Sequence, residues 1–330
     1  MGYTTTAAFQ HDTTNDDEGC MYALELLGCH AVPMTINAAD GRTVTPEELA
    51  ARWPRPAEAA VAVDRMLRYL ASYSVVRCTT EVAPDGKARR SYAAAPVCKW
   101  FTTRNGGMGS LAPVAMMYLD KEFMEIWYYM KDAVAEGVTP SEKAYGMPLF
   151  EHLGSNEASS TLFNQAMAGQ SEIITKKLLE LYRGFEGVDV LVDVGGATLR
   201  MITAQHKHVR GVNYDLPHVI AQAPPIKGVE HCILHNWGDE ECAKILRNCH
   251  SALPADGKVI VVEYVLRERP EPTLAAQGVF HLDVVMLCAH AGGKERTERE
   301  LAQLAAEAGF SGGCKATYIF ANAWALEFTK

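Results

Sequence analysis

The sequence predicts an α/β protein whose C-terminal half contains a mostly parallel sheet and whose N-terminal half is largely helical. Three observations predict this class. Residues 189–330 alternate short apolar strands with amphipathic helices, residues 110–182 keep a helical spacing of apolar side chains, and residues 45–100 give two helices followed by two strands. Strands separated by amphipathic helices are typical of a parallel sheet.

The composition favours a globular protein and excludes several functional classes. Of the 330 residues, 48% are hydrophobic and 22% are charged, and the net charge is −9. This charge argues against a nucleic-acid surface, because phosphate binding needs clustered Lys and Arg. The apolar runs fall short of the roughly 18 residues of a membrane span, and the nine cysteines include no CxxC pair. We therefore expect a cytoplasmic protein with no membrane partner, no nucleic-acid partner and no metal site.

The N-terminal region predicts a winged-helix-like domain over residues 19–110, after a polar and acidic tail over residues 1–18 that we expect to be disordered. Thr45 can cap the helix that begins in TPEELAARW. In the next helix, AVAVDRMLRYLASYSVV, one apolar face is formed by Val63, Met66, Leu67 and Leu70. Two strand-like pieces then surround the turn signal at Asp85 and Gly86. Two helices followed by such a hairpin make a winged helix.

A second helical stretch leads into the C-terminal domain, which we place at residues 111–330 with its helical lead-in over 111–185. Within it, the segment TLFNQAMAGQSEIITKKLLELY carries an apolar stripe formed by Phe163, Met167, Ile174, Leu178 and Leu181. Strands are then predicted in VLVDVGG, GVNYDL and GKVIVVEYV, and helices in DEECAKILRNCHSAL and TERELAQLAAEAG. Thr297 caps the last helix and Gly309 ends it. The final segment, ATYIFANAWALEFTK, predicts an antiparallel hairpin.

The first predicted strand ends in glycines, as strands do where an α/β sheet binds a nucleotide. Gly195 and Gly196 follow VLVDV, and Asp215 lies at the end of the second strand. At that place an acidic side chain can accept hydrogen bonds from ribose hydroxyls. The pair indicates an adenosine-containing ligand.

The segments GVNYDLPHVI, ILHNWGDEECAKILRNC, GKVIVVEYVL, QGVFHLDVVML, GGKERTERELAQLAAEAGF and TYIFANAWALEF together closely resemble the plant caffeic acid O-methyltransferase family. The resemblance covers nearly the whole chain after the first eighteen or so residues and is nearest to the grass members. It implies a Rossmann-like S-adenosylmethionine methyltransferase fold with an N-terminal dimerisation domain. It also implies a homodimer, S-adenosylmethionine as methyl donor, a small phenolic acceptor and no metal.

The resemblance also assigns roles to single residues. His235, in ILHNW, matches the general base that takes the phenol proton, and Glu263 and Glu295 match the carboxylates that hold its imidazole. Taken alone, His235 would be read as a structural histidine. The substrate pocket is expected to include Phe163, Met167 and His290. At helical spacing, Phe163 and Met167 are equally well explained as core residues.

The chain departs from the family at three gaps. Gly196 runs directly into ATLRMI, so that the turn has lost glycines that let a backbone approach the cofactor. GVEH (228–231) joins directly to CILHNW, so that the adenine-binding segment and one strand are absent, and VEHCILH remains as the single candidate for the central strand. A third gap, near residues 35–41, removes a helix of the dimerisation region. Within the matched segments, Asn236 replaces an aspartate, and Gln170 a pocket histidine.

These departures predict an inactive homologue that has lost much of its cofactor site, able to pair with itself or with an active relative. The alternative is an active O-methyltransferase of a small phenolic that uses His235 as its base. A third interpretation is a DNA-binding winged helix whose hairpin carries Lys87, Arg89 and Arg90, although the net charge opposes it. A further interpretation is that the gaps come from an incorrect gene model or from a splice form. Sequencing the transcript would distinguish these origins from a real deletion.

Overall fold

The computed structural model describes residues 42–51, 53–102, 109–194, 198–214 and 234–330. The predicted tail, the third gap and the predicted strand residues before Leu234 lie outside these residues. Within the described residues, every helix is too short or too polar to span a membrane.

The N-terminal region forms the predicted two helices and hairpin. Its elements are α1 (Pro46–Ala50), α2 (Pro56–Ser72), β1 (Val76–Val82) and β2 (Ala88–Ala94). Thr45 and Glu48 form a reciprocal cap at the start of α1, each accepting a hydrogen bond from the other's backbone N–H. Gly86 adopts a φ of 77° in the hairpin turn, a conformation that favours glycine. These predictions are confirmed.

The apolar face of α2 is buried against the hairpin. Val63, Leu67 and Leu70 pack with Val76 and Tyr92 in a core of their own. The hydroxyl of Tyr92 donates to Asp64 Oδ1 at 2.7 Å, so the one polar atom of this buried ring is satisfied.

A run of helices connects the two regions. They are α3 (Ala112–Leu119), α4 (Lys121–Tyr128), α5 (Met130–Glu136), α6 (Pro140–Tyr145), α7 (Leu149–Ser155) and α8 (Glu157–Leu181). A 3₁₀ helix, Pro96–Phe101, precedes them, and its Trp100 ring packs 5.2 Å from that of Phe320. The apolar stripe on α8 is only partly buried: Leu178 is buried, but Leu181 is 50% exposed. Leu181 is the last residue of the helix, and the chain turns inward only at Tyr182, which is buried.

The C-terminal region alternates strands and helices as predicted. In chain order its elements are β3 (Val190–Val194), α9 (Leu199–Gln205), β4 (Arg210–Tyr214), α10 (Asp239–Ala252), β5 (Lys258–Leu266), α11 (Leu274–Ala289), β6 (Arg296–Thr297), α12 (Glu298–Glu307), β7 (Cys314–Phe320) and β8 (Ala323–Thr329). Thr297 caps α12, and Gly309 follows it with a φ of 107°. The hairpin of β7 and β8 confirms the predicted antiparallel edge.

The described strands form two sheets in this region. β3 pairs in parallel with β4, while β5 lies between β6 and β8 in a sheet of order β6-β5-β8-β7. Both faces of the second sheet are covered: Ile260 packs against the core of α3 and α8, and its neighbour Val261 against α10 and α12. On β3, however, Val190 is 47% and Val192 50% exposed. The face of β3 that carries these two side chains is therefore largely uncovered, and among the described strands β3 pairs only with β4.

Candidate active site

His235 lies in a 3₁₀ turn, Leu234–Asn236, immediately before α10. The turn is tied to the sheet, because the N–H of Leu234 donates to Glu263 Oε1 at 2.9 Å. Cys242, one turn into α10, places its thiol 3.2 Å from the carbonyl oxygen of Leu234. His235 thus has a fixed backbone at the edge of the four-stranded sheet.

Glu263 and Glu295 come from neighbouring parallel strands. Glu263 lies in β5, Glu295 immediately precedes β6, and the two strands pair at Val265 and Arg296. This register brings both carboxylates to the ring of His235. Nδ1 of His235 lies 3.0 Å from Glu295 Oε1 and 3.6 Å from Glu263 Oε2. The structure thus brings together the three side chains predicted as the catalytic group, called the carboxylate–histidine trio below.

The electrostatics of the trio are set by its two buried carboxylates. Burial lowers the pKa of His235, but the charges of Glu263 and Glu295 outweigh it and raise that pKa to about 9. Burial raises the pKa of Glu263, and the neighbouring charge of Glu295 acts in the same direction. The imidazole of His235 is therefore mostly charged at neutral pH.

Arg296 holds the turn that presents His235, and the sequence analysis did not identify it. Its guanidinium donates to the carbonyl oxygens of Leu234 at 3.2 Å and Trp237 at 2.8 Å, and to Asp239 Oδ1 at 2.9 Å. The side chain is almost fully buried. The motif GGKERT contains this arginine directly after Glu295, but nothing in the motif indicates that the side chain is buried and bonded to backbone carbonyls.

Two of the predicted pocket residues, Phe163 and His290, contact an aromatic ring that the sequence analysis did not identify. Phe150, in α7, stacks on His290 at a ring distance of 4.9 Å and meets Phe163 edge-on at 6.0 Å. Burial lowers the pKa of His290 to about 4, so this imidazole is neutral at neutral pH. Met167 lies one turn after Phe163 in α8 and is partly buried against the core of α3 and α8.

Gly293 brings the aromatic group next to the trio. A Cβ at this position would lie 2.8 Å from His290 Cβ and 3.0 Å from the carbonyl oxygen of His235, so a larger residue would push the two segments apart. The backbone N–H of Lys294 also donates to His235 O at 2.9 Å. The loop after α11 therefore connects the predicted pocket and the predicted base.

The predicted cofactor residues Gly195 and Asp215 lie outside the described residues. The described residues on either side of the loop between β3 and α9 show that Asp193 caps α9. One of its carboxylate oxygens, Oδ2, accepts hydrogen bonds from Thr198 Oγ1 at 2.9 Å and from the backbone N–H of Leu199 at 2.8 Å. The N–H groups at a helix start are the donors that commonly hold an anionic ligand group. In this chain the carboxylate of Asp193 occupies two of these donors, the N–H groups of Thr198 and Leu199.

Two family models match the chain. A model of the O-methyltransferase dimerisation domain matches residues 24–104, and a model of the O-methyltransferase domain matches residues 127–232 and 229–311. This chain belongs to the O-methyltransferase family. The second match falls into two segments that overlap at residues 229–232, where GVEH joins CILHNW.

Among plant O-methyltransferases, the similarity extends over nearly the whole chain. A rice protein named naringenin 7-O-methyltransferase is 62% identical over 354 residues, covering 95% of this chain and 94% of its own. The caffeic acid 3-O-methyltransferase of maize is 51% identical, covering 96% and 97%. A rice protein described as a probable inactive methyltransferase is 47% identical, covering 96% and 95%. The first aligned length exceeds the 330 residues of this chain, so that alignment includes positions with no residue here.

Solved O-methyltransferase structures show the same fold. The structure of human N-acetylserotonin methyltransferase in complex with SAM superposes with a TM-score of 0.72 at 18% identity, covering 99% of both chains. The family membership and the Rossmann-like fold with its dimerisation domain, both predicted from the sequence, are confirmed.

Proposed function

We propose that this chain is an inactive member of the plant O-methyltransferase family, which has kept the carboxylate–histidine trio and lost most of its site for S-adenosylmethionine. The observation that carries the proposal is the cap formed by Asp193 on Leu199 and Thr198. By the resemblance, the connection from β3 to α9 has lost the family's extra glycines, and the N–H groups of Thr198 and Leu199 are used within the chain. A methyl donor would have to break these bonds before it could form its own.

The interruption at residues 229–232 supports the same conclusion from a second place in the fold. In the resemblance, the segment missing there carries the residues around the adenine. Each buried hydrogen bond lost to a ligand costs about 1–3 kcal/mol. Because every 1.4 kcal/mol changes a dissociation constant about tenfold, the loss of the glycine turn and the adenine segment together moves a micromolar site to the millimolar range or weaker.

The second candidate function is methyl transfer to a small phenolic with His235 as the base. Its support is the trio, in which Nδ1 of His235 lies 3.0 Å from Glu295. The ring face of Phe150, between Phe163 and His290, offers a stacking surface for a planar acceptor. The phenol proton would pass to the neutral form of His235, which is the minor form at neutral pH because its pKa is raised to about 9, as the phenol oxygen attacks the methyl carbon. This reaction requires a bound donor, which the Asp193 cap opposes.

We further propose that the dimerisation region, residues 24–104 of the family match, forms a homodimer or pairs with an active relative. In the second case the chain would influence its partner without catalysis of its own. Size-exclusion chromatography of the chain alone measures the homodimer, and co-purification of the untagged chain with a tagged rice relative detects the mixed pair.

The deciding experiment is calorimetric titration of the purified chain with S-adenosylhomocysteine up to millimolar concentration. The rice relative named naringenin 7-O-methyltransferase is the positive control. We expect no saturable heat from this chain and micromolar binding by the relative. Micromolar binding by this chain would contradict the proposal.

Methyl transfer from labelled S-adenosylmethionine to naringenin and to caffeic acid gives an independent readout. We expect none above background. Any transfer that is lost in the variant His235→Ala and kept in His152→Ala would support the second candidate function, because His152 pairs with Glu122 away from the trio.

A further inference from the structure

We propose that the outer edge of strand β1 (Val76–Val82) pairs in antiparallel fashion with the β1 strand of a second copy of this chain. The pair is centred on Thr79, which lies opposite Thr79 of the second copy. This inference rests on the homodimer proposed above and deepens it, because it names a strand through which two copies meet. It holds whether or not either copy transfers a methyl group.

The edge of β1 that faces away from β2 is exposed. Among the described strands, β1 pairs only with β2. Every residue of β1 after Val76 is exposed, and Val82 is 75% exposed although it is apolar. Such an edge presents a row of backbone N–H and C=O groups to which another strand can bind.

The hydrogen bonds of β2 show which residues of β1 face this edge. Tyr92 lies opposite Cys78, but the N–H and C=O of Tyr92 both bond to Val44 on the far side of β2, at 2.8 Å. In an antiparallel pair, two facing residues either exchange both hydrogen bonds or exchange none. The backbone groups of Cys78 therefore point away from β2, and those of Thr80, two residues further on, point the same way.

The side chains of β1, VRCTTEV, are complementary to those of a second copy that runs in the opposite direction. With Thr79 at the centre, Arg77 of each copy lies opposite Glu81 of the other. Within its own hairpin, Glu81 faces Arg89, whose guanidinium also lies 3.9 Å from Asp85. The second copy thus extends this row to three charges of alternating sign, and opposite charges at facing positions stabilise a sheet.

The other facing positions fit the same register. Cys78 lies opposite Thr80, so the outward backbone groups of these two residues bond to each other across the pair. The exposed Val82 comes opposite the strand's other valine. A shift of two residues in either direction breaks both charge pairs, because Arg77 or Glu81 then faces an uncharged threonine. The charge pattern therefore selects one register, and the contact is symmetric about a two-fold axis.

Disulfide cross-linking tests this register. Cys78→Ser serves as the background, because Cys78 is an exposed free cysteine beside the centre of the pair. In the variant Thr79→Cys the two new cysteines face each other at a position without backbone hydrogen bonds, where the Cα atoms lie about 4.5 Å apart. A disulfide spans this distance.

The matched control is Thr80→Cys in the same background. Its two cysteines are displaced by two residues along the strands, so their Cα atoms lie roughly 8 Å apart, beyond the limit of about 7 Å for a disulfide. Thr79 and Thr80 are adjacent and both exposed, so random collisions would cross-link the two variants equally.

After mild oxidation, we expect a covalent dimer on a non-reducing gel from Thr79→Cys, with a yield at least about tenfold above that of Thr80→Cys. Equal yields, or no cross-link in a folded Thr79→Cys chain, would overturn the inference. If the amides of Cys78 and Thr80 resist hydrogen exchange without a cross-link, another segment covers the edge and the inference is wrong.

Size-exclusion chromatography of the wild-type chain separates this inference from the homodimer itself. A dimer on the column without the Thr79→Cys cross-link overturns the β1 contact alone. A monomer at high concentration overturns the homodimer and the β1 contact together.

Charge reversal gives a second, independent readout. Added to Thr79→Cys, the substitution Glu81→Arg places arginine opposite arginine and should lower the cross-linked yield at least about fivefold, because like charges at facing positions destabilise a sheet. Adding Arg77→Glu as well restores opposite charges and should restore the yield. Circular dichroism confirms that each variant is folded. A yield that ignores Glu81→Arg, or that does not recover in the double reversal, would overturn the proposed register.

Discussion

The carboxylate of Asp193 accepts a hydrogen bond from the backbone N–H of Leu199 at 2.8 Å. A residue near the end of β3 thus caps the helix that follows the strand. The same oxygen accepts from the hydroxyl of Thr198. In this chain Asp193 works as a structural cap on α9.

We therefore predict that Asp193→Ala destabilises the protein by about 1–2 kcal/mol, the usual effect of removing a helix cap. Urea unfolding followed by circular dichroism measures this difference. The control is Asp189→Ala, because Asp189 is an exposed aspartate just before the same strand. Equal effects of the two substitutions would show that the Asp193 cap contributes nothing specific.

Arg296 provides the second prediction. Its guanidinium donates to the carbonyl oxygens of Leu234 and Trp237 from a buried position. Removing it takes a charged donor from these two carbonyls and from Asp239, so we expect Arg296→Met to cost about 2–4 kcal/mol of unfolding free energy. Lys294→Met is the matched control, because Lys294 pairs with the same Asp239 at the surface and should cost less than about 1 kcal/mol. Comparable losses in the two variants would contradict the role given to Arg296.

The sequence predicts most helices and strands correctly, but it does not predict the contacts that hold the candidate site in place. Thr45, Gly86 and Thr297 act through local backbone geometry, which a few neighbouring residues determine, and their positions were predicted correctly. The cap by Asp193 also joins residues only a few positions apart, but the sequence pattern does not indicate which way its carboxylate points.

The contacts of Arg296 and Phe150 could not be predicted in this way. Arg296 reaches carbonyls about 60 residues earlier, and Phe150 stacks on a ring 140 residues later. Such contacts depend on tertiary packing, which the spacing of apolar residues within one segment does not predict. The trio itself was found through family resemblance rather than through any spacing of its residues.

The exposed face of β3 leads to a third prediction. Val192 is half exposed although it lies in a strand of apolar residues. We expect Val192→Thr to change the unfolding free energy by less than about 0.5 kcal/mol. The matched substitution Val261→Thr, on β5, buries a hydroxyl in an apolar core and should cost about 1–3 kcal/mol. If both variants lose the same free energy of unfolding in urea, the side chain of Val192 is buried in solution and the prediction is wrong.

The fourth prediction concerns pH. Burial raises the pKa of Glu327, but hydrogen bonds from Lys258 and Tyr182 and the charge of Lys315 outweigh it and lower that pKa below its usual 4.5. A carboxyl with a lowered pKa stabilises the fold above its unfolded pKa, and this contribution is lost as the pH falls through the folded value.

The variant Glu327→Gln should therefore be destabilised by about 1–2 kcal/mol at pH 7, and the difference from wild type should shrink below about pH 4. Unfolding in urea at pH 7, 5 and 3.5 measures the difference. Glu58→Gln, at an exposed position on α2, controls for the general effect of removing a negative charge. A difference that stays constant down to pH 3.5 would show that the charge of Glu327 does not stabilise the fold.

The position of β8 has a consequence for the order of events during synthesis. β8 fills the place between β5 and β7, and its residue Ala323 pairs with Tyr264, so β5 lacks this neighbour until about 60 further residues have been made. At about 5–20 residues per second, a ribosome needs roughly 3–12 seconds for that interval. During it, the apolar strand β5 is exposed on the nascent chain to chaperones and to other copies of itself. The yield of folded protein should therefore depend on the speed of translation through residues 267–322.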